Sequence, residues 1–192
     1  MSTSRRTRRS GSSVVLRLTR NSLVALAIAM PVNVGAAEPS AAPPVIVCTV
    51  SVPSLVERGQ PVLFAVTLHN RSRTARALLN WGTPFEEAWL QPFVEVERDG
   101  RPVPYGGASV KRGDPDGDEY VRLGSGQRRT ANLELSDVFD FSVPGRYTVT
   151  PRLVLHDVVA LPAALPRPRA QHIAHPLACG GAQVIVVRLA PK

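Results

Sequence analysis

From residue 45 to residue 70, hydrophobic positions alternate with polar or small ones. Val45-Ile46-Val47-Cys48-Thr49-Val50-Ser51-Val52 is rich in β-branched residues, and a two-residue period puts Ile46, Cys48, Val50 and Val52 on one face. After the turn residues Arg58-Gly59-Gln60, Val62, Phe64, Val66 and Leu68 alternate in the same way up to Asn70, which predicts a half-buried strand. A third run, Ala75 to Trp81, ends at Gly82-Thr83-Pro84. Phe93 to Arg98 then meets Asp99-Gly100, a strong hairpin signal, and Arg101 to Tyr105 returns with Pro102 and Pro104, residues that belong on a sheet edge. Two short strands are expected at Glu119 to Leu123 and Arg129 to Leu135, around Gly124-Ser125-Gly126. Pro144-Gly145 turns the chain into Arg146 to Leu155, where Tyr147, Val149, Leu153 and Leu155 share a face and Pro151 marks a bulge or an edge. Gln183 to Leu189 is the last run. About seven or eight short strands with turn signals between them, and no long amphipathic helix, predict an all-β fold, an immunoglobulin-like antiparallel β-sandwich over residues 45–192. Tyr147, at the start of a late strand, stands where a tyrosine corner belongs.

Two segments escape this pattern. Residues 1–37 carry a basic stretch ending at Arg20, the apolar run Leu23 to Met30 and the small residues Val34-Gly35-Ala36-Ala37, the three-part layout of a secretory signal peptide. The apolar run is shorter than the roughly 20 residues that cross a bilayer, so export to the periplasm or the medium is expected, without a stable membrane anchor. Residues 38–44 form a Pro/Ala-rich leader that is expected to be disordered. The second exception, residues 158–178, is a long Pro/Ala-rich loop between the last two runs, and such loops are either functional or disordered.

Charge adds little to the picture of a partner. The net charge is +8, but six of the 23 basic residues lie in the first twenty positions with no acid among them, which leaves 17 against 15 acids. With few aromatics and none interleaved with basic residues, nucleic acid is excluded as the leading partner. The two cysteines, Cys48 and Cys179, lie in an exported protein that permits disulfides; they lack the CxxC spacing of a zinc site and any neighbouring base, so a single Cys48–Cys179 disulfide is expected. No GxSxG, phosphate-binding Gly-rich loop or HExxH occurs, and neither a catalytic residue nor a cofactor is expected. Asp114-Pro115-Asp116-Gly117-Asp118-Glu119 has the acid density of a calcium loop but not the EF-hand spacing, and reads as a solvated turn. His172 and His175 stand three apart without an acidic third ligand, so no metal is assigned to them, and His69 and His156 read as isolated strand histidines.

The stretch Phe93 to Tyr147 resembles the N-terminal, non-catalytic pro-region of secreted deuterolysin-type (aspzincin) zinc endopeptidases. The pieces that carry the likeness are Phe93-Val94-Glu95-Val96-Glu97-Arg98-Asp99-Gly100 with Pro102-Val103-Pro104-Tyr105, Val110-Lys111-Arg112-Gly113, Asp118-Glu119-Tyr120, and Pro144-Gly145-Arg146-Tyr147-Thr148-Val149, with Trp81-Gly82-Thr83-Pro84 as the turn before them. In those proteases the region precedes a zinc-binding catalytic domain, whose HExxH is absent here. The resemblance therefore implies a stand-alone, non-catalytic, pro-domain-like protein with a protein partner, a secreted metallopeptidase that it inhibits or helps to fold. An edge-strand adhesion or assembly module is the alternative. Candidate partner contacts are Trp81, Thr83, Pro84 and Phe85 in the turn, Lys111 and Arg112 in the matched block, and Arg167, Arg169, His172 and His175 on the Pro-rich loop.

Overall fold

The computed structural model describes residues 45–187; the expected signal peptide (1–37) and leader (38–44) lie outside them, as do residues 188–192. Among the described residues thirteen strands form: β1 (Ile46–Ser51), β2 (Leu55–Glu57), β3 (Leu63–Asn70), β4 (Arg76–Leu79), β5 (Val94–Arg98), β6 (Arg101–Val103), β7 (Tyr120–Leu123), β8 (Arg128–Glu134), β9 (Gly145–Pro151), β10 (Val154–Leu155), β11 (Val158–Ala160), β12 (His175–Pro176) and β13 (Ala182–Val187).

Eight of them make an immunoglobulin-like sandwich. One sheet has the order β1-β3-β8 and the other β2-β13-β9-β5-β6. All pairs are antiparallel except β2 with β13, so the first strand of the sandwich is split between the two sheets. The core between them is the product of the alternation. Val62, Phe64, Val66 and Leu68 face inward from the β3 side, and Val94, Val96, Tyr147, Val149, Val184 and Val186 meet them from the other sheet. The Asp99-Gly100 hairpin forms with both residues at positive φ (49° and 78°), the backbone that a two-residue turn between twisted strands demands. Its returning strand, β6, is the edge of its sheet, where Pro102 costs no ladder hydrogen bond. Tyr147 is fully buried, and its hydroxyl donates to the Val143 carbonyl at 2.6 Å, closing the tyrosine corner. Cys48 and Cys179 are bonded, tying β1 to the approach to β13 across 131 residues.

Three connections of the sandwich are long, and they build a second layer of structure. The β3–β5 connection contributes β4, the β6–β8 connection β7, and the β9–β13 connection β11, and these three pair as β11-β4-β7. Ala77, Leu79, Trp81, Tyr120 and Val159 form a small apolar cluster of their own, while Leu78 on the opposite face of β4 joins the main core. The Pro-rich loop expected at 158–178 is thus not without structure: it contains β11, a 3-10 turn at Arg169–Gln171 and β12, which pairs with β10. Its Leu161 and Leu165 pack on the small cluster.

Candidate functional site

The three connections meet around an open cleft of about 510 Å³ lined by Trp81, Gln91, Val110, Lys111, Arg112, His156, Arg169, His172 and Ala174. Trp81 comes from the turn after β4. Gly82 makes that turn possible: its φ is +62°, and a Cβ there would lie 1.7 Å from the Gln91 amide nitrogen. Thr83 caps the following 3-10 turn, donating to the Asn80 carbonyl (2.6 Å) and accepting from the Phe85 N–H (3.3 Å). Thr83, Pro84 and Phe85 are buried and give the cleft no lining, whereas Trp81 lines it although only 4% exposed.

The indole is held on two sides. Its Nε1–H donates to Glu119 Oε1 at 2.7 Å, and the Arg112 guanidinium carbon stands 5.3 Å from the ring centroid, a cation–π distance. Arg112 pairs with Glu86, which also accepts from the Gly82 N–H at 3.0 Å. The Arg112 Nε is buried and meets no acceptor among the described residues.

The far wall is the 167–172 segment, fastened by polar groups. Asp157, fully buried, receives both the Nε (2.9 Å) and Nη2 of Arg167, together with the Tyr120 hydroxyl at 2.9 Å. Burial pushes the Asp157 carboxyl up, but these hydrogen bonds and the charges of Arg167 and His172 outweigh it and hold the group below the usual carboxylate range. Burial, with the hydrogen bond to Asp157, pushes the Tyr120 phenol up to about 12. The Arg169 N–H donates to Asp114 Oδ1 (2.8 Å) and its Nη1 to the Arg112 carbonyl (2.7 Å). His172 Nε2 lies 2.9 Å from the Arg167 carbonyl, which can only accept, so the proton sits on Nε2. The His172 ring meets Trp81 edge-on, with centroids 6.2 Å apart.

His156 completes the lining. It lies in the bend between β10 and β11, not on a strand as its sequence context suggests. Burial, then the charges of His172, Arg169 and Arg112, push its imidazole below the ordinary value. Among the described residues the lining contains no carboxylate, hydroxyl or thiol; it offers the cationic groups of Lys111, Arg112 and Arg169, the imidazoles of His156 and His172, the Gln91 amide and a small part of the Trp81 indole.

Of the residues singled out from the sequence, Trp81, Lys111, Arg112, Arg169 and His172 come together here. Arg167 serves the wall through Asp157, and His175 faces a separate depression lined by Val45, Ile46, Leu155, Val158 and Leu177. Sequence reasoning misses Gln91, Glu86 and Asp157 and discounts His156; their only signal is being polar within connections of unusual length. The acid-rich turn is used internally, Asp114 and Glu119 accepting hydrogen bonds from Arg169 and Trp81. Among the described residues no group of three His, Cys, Asp or Glu side chains is placed to hold a metal ion.

No family model matches the protein. Over 84 residues, 44% of its length, it is 39% identical to an extracellular protease of Aeromonas hydrophila. The match spans 24% of the length of that relative. Weak structural likenesses include the CARDB domain of a Pyrococcus furiosus protein (11% identity, 76% of this chain and 94% of that one, TM-score 0.32). Another is the alkylpurine DNA glycosylase AlkC of Pseudomonas fluorescens (15% identity, 74% and 30%, TM-score 0.31). TM-scores that low are no basis for a shared function. The described residues thus form an immunoglobulin-like sandwich by their own topology, and part of the protein is similar in sequence to part of an extracellular protease. Its disulfide agrees with export. No helix among the described residues is long and apolar enough to cross a membrane.

Proposed function

We propose that this protein is an exported, non-catalytic binding module that engages a secreted metallopeptidase of the deuterolysin type, inhibiting it or assisting its folding, through the cleft at Trp81, Arg112 and His172. The observation that carries the reading is the convergence in one cleft of residues from two independent sources. Trp81, Lys111 and Arg112 belong to the stretches that resemble the protease pro-region, while Arg169 and His172 belong to the Pro-rich segment. Similarity to part of an extracellular protease supports the coarser reading of a role connected with a secreted protease. The alternative, an adhesion or assembly module, has the outer strands β1 and β8 of the three-stranded sheet to offer. It leaves the approach of the Pro-rich segment to the matched turn without a role.

The test is a titration of the protein against a deuterolysin-type protease while cleavage of a peptide substrate is followed. Saturable inhibition, or faster recovery of activity by the refolding protease, weakened by Arg169→Gln and Lys111→Gln, is the expected result. A folded, disulfide-bonded sample that neither binds nor affects the protease refutes the reading for that class of partner.

A further inference from the structure

We infer that the cleft is a carboxylate-recognition site, taking a polypeptide carboxylate flanked by an apolar side chain; the inference rests on the binding-module reading and specifies what that site holds. Lys111, Arg112 and Arg169 converge there with the imidazoles of His156 and His172, and no carboxylate shares the lining. Gathering like charges in one concavity is unfavourable unless a counter-charge arrives. Arg112 has such a counter-charge in Glu86, but among the described residues neither Lys111 nor the Arg169 guanidinium has a carboxylate within ion-pair distance. Burial first, and then the charges of His172, Arg169 and Arg112, favour the neutral form of His156.

The donors select among anions. They are single groups on separate side chains; Glu86 occupies one nitrogen of the Arg112 fork, and Arg169 spends one on the Arg112 carbonyl. That arrangement supplies enough separate donors for the two oxygens of a carboxylate but lacks the clustered main-chain N–H groups that cradle a phosphate. A stacked nucleobase is also disfavoured, because Trp81 is nearly covered. At about 510 Å³ the cleft is far larger than an ion and falls in the size range of ligand pockets. Val110 is 38% exposed, and with Ala174 it offers apolar surface beside the charges. A carboxylate next to an apolar residue fits both halves of the lining. Its source is either a free α-carboxylate at a peptide's end, such as peptide-bond hydrolysis liberates, or an Asp or Glu side group.

Peptide titrations without any protease test this independently of the partner. Calorimetry on the full-length protein would compare a short apolar acetylated peptide ending in a free carboxylate with its C-terminal amide, and an amidated peptide containing Asp with its Asn counterpart. The expected result is that at least one carboxylate peptide binds and its uncharged counterpart binds about tenfold more weakly or less. The pair that discriminates names the source. Arg169→Gln and Lys111→Gln, both on exposed residues, are expected to weaken binding several-fold; Lys111→Gln leaves the thermal midpoint in place, and Arg169→Gln lowers it by no more than the loss of one exposed hydrogen bond to the Arg112 carbonyl. Equal binding of charged and uncharged peptides, tighter binding of inorganic phosphate than of either peptide, or no binding by folded protein would each overturn the inference. Each of these outcomes can occur while the protease is still inhibited in a variant-sensitive way, which would leave the binding-module reading intact.

Discussion

Replacing Asp157 with Asn is expected to loosen the Pro-rich wall of the cleft without touching its lining. The carboxylate is fully buried and accepts from two nitrogens of Arg167 and from the Tyr120 hydroxyl, while its main-chain carbonyl accepts from the Leu79 N–H at 3.0 Å. An amide keeps the shape but turns one acceptor into a donor facing a guanidinium. Breaking a buried pair by removing one charge costs about 3–5 kcal/mol. The Arg167 side chain is 28% exposed and can recover some hydration, which reduces the expected loss to about 2–3 kcal/mol. For a domain of this size that is roughly 5–10 °C in thermal midpoint. The assay is urea unfolding of wild type, Asp157→Asn, Arg167→Gln and the double variant, with the coupling energy taken from the cycle. The pH dependence supplies a second readout. Because the folded carboxyl titrates below its ordinary value, its contribution is complete above the unfolded pKa near about 4 and is lost as pH falls through the lower folded value. The variant's stability curve is therefore expected to be flatter than that of the wild type in that acid range. A loss under about 0.5 kcal/mol, or a coupling energy indistinguishable from zero, would refute the claim that this pair holds the wall.

Reducing the Cys48–Cys179 bond, or replacing both residues with Ser, opens a loop spanning 131 residues and is expected to cost about 5 kcal/mol in the chain-entropy model, measured by unfolding with and without reductant. All three tyrosines are held above the ordinary phenol value, chiefly by burial, Tyr120 at about 12. A spectrophotometric titration is therefore expected to show little phenolate at pH 10 in folded protein and about half of the phenols ionised once urea unfolds it, with stability falling as pH rises above about 10. Asn70, fully buried, donates to the carbonyls of Thr74, Leu123 and Gly124 (2.9, 3.1 and 3.0 Å); Asn70→Asp leaves three carbonyls facing a carboxylate and is expected to lose more than about 3 kcal/mol in urea unfolding. Histidine NMR is expected to place the His156 midpoint below 6.5, since burial and the cleft's positive charges favour the neutral ring, and a bound carboxylate is expected to raise it.

What is legible in the sequence follows a physical division. Strands of the sandwich have one wet and one dry face, so alternation writes them into the residue order: the spacing of Phe64, Val66 and Leu68 is enough to mark β3. β4 carries no such signal for its partners, because Ala77, Leu78 and Leu79 are buried in succession between two clusters, and a run buried on both faces has no period. β2, β10, β11 and β12 are two or three residues long and pair across long separations, too short for any period to show. Within the cleft, Lys111 and Arg112 stand out through family resemblance and Arg169 and His172 through loop composition. That these meet depends on hydrogen bonds such as Arg169 to Asp114, 55 residues apart, which leave no local trace in the sequence.

The division also explains why a site lies at this place. The sandwich core is a continuous apolar body closed by the Tyr147 corner and the disulfide, and the cleft at Trp81 lies outside it. Concavity arises where three long connections lean on one another, and their fastenings are largely polar: Trp81 to Glu119, Arg167 and Tyr120 to Asp157, Arg169 to Asp114. Polar fastenings orient side groups without demanding apolar surface, so the groups left over on the lining stay cationic and partly hydrated. Lys111 and Arg169 therefore contribute little to holding the fold, and their charge is available to whatever enters the cleft.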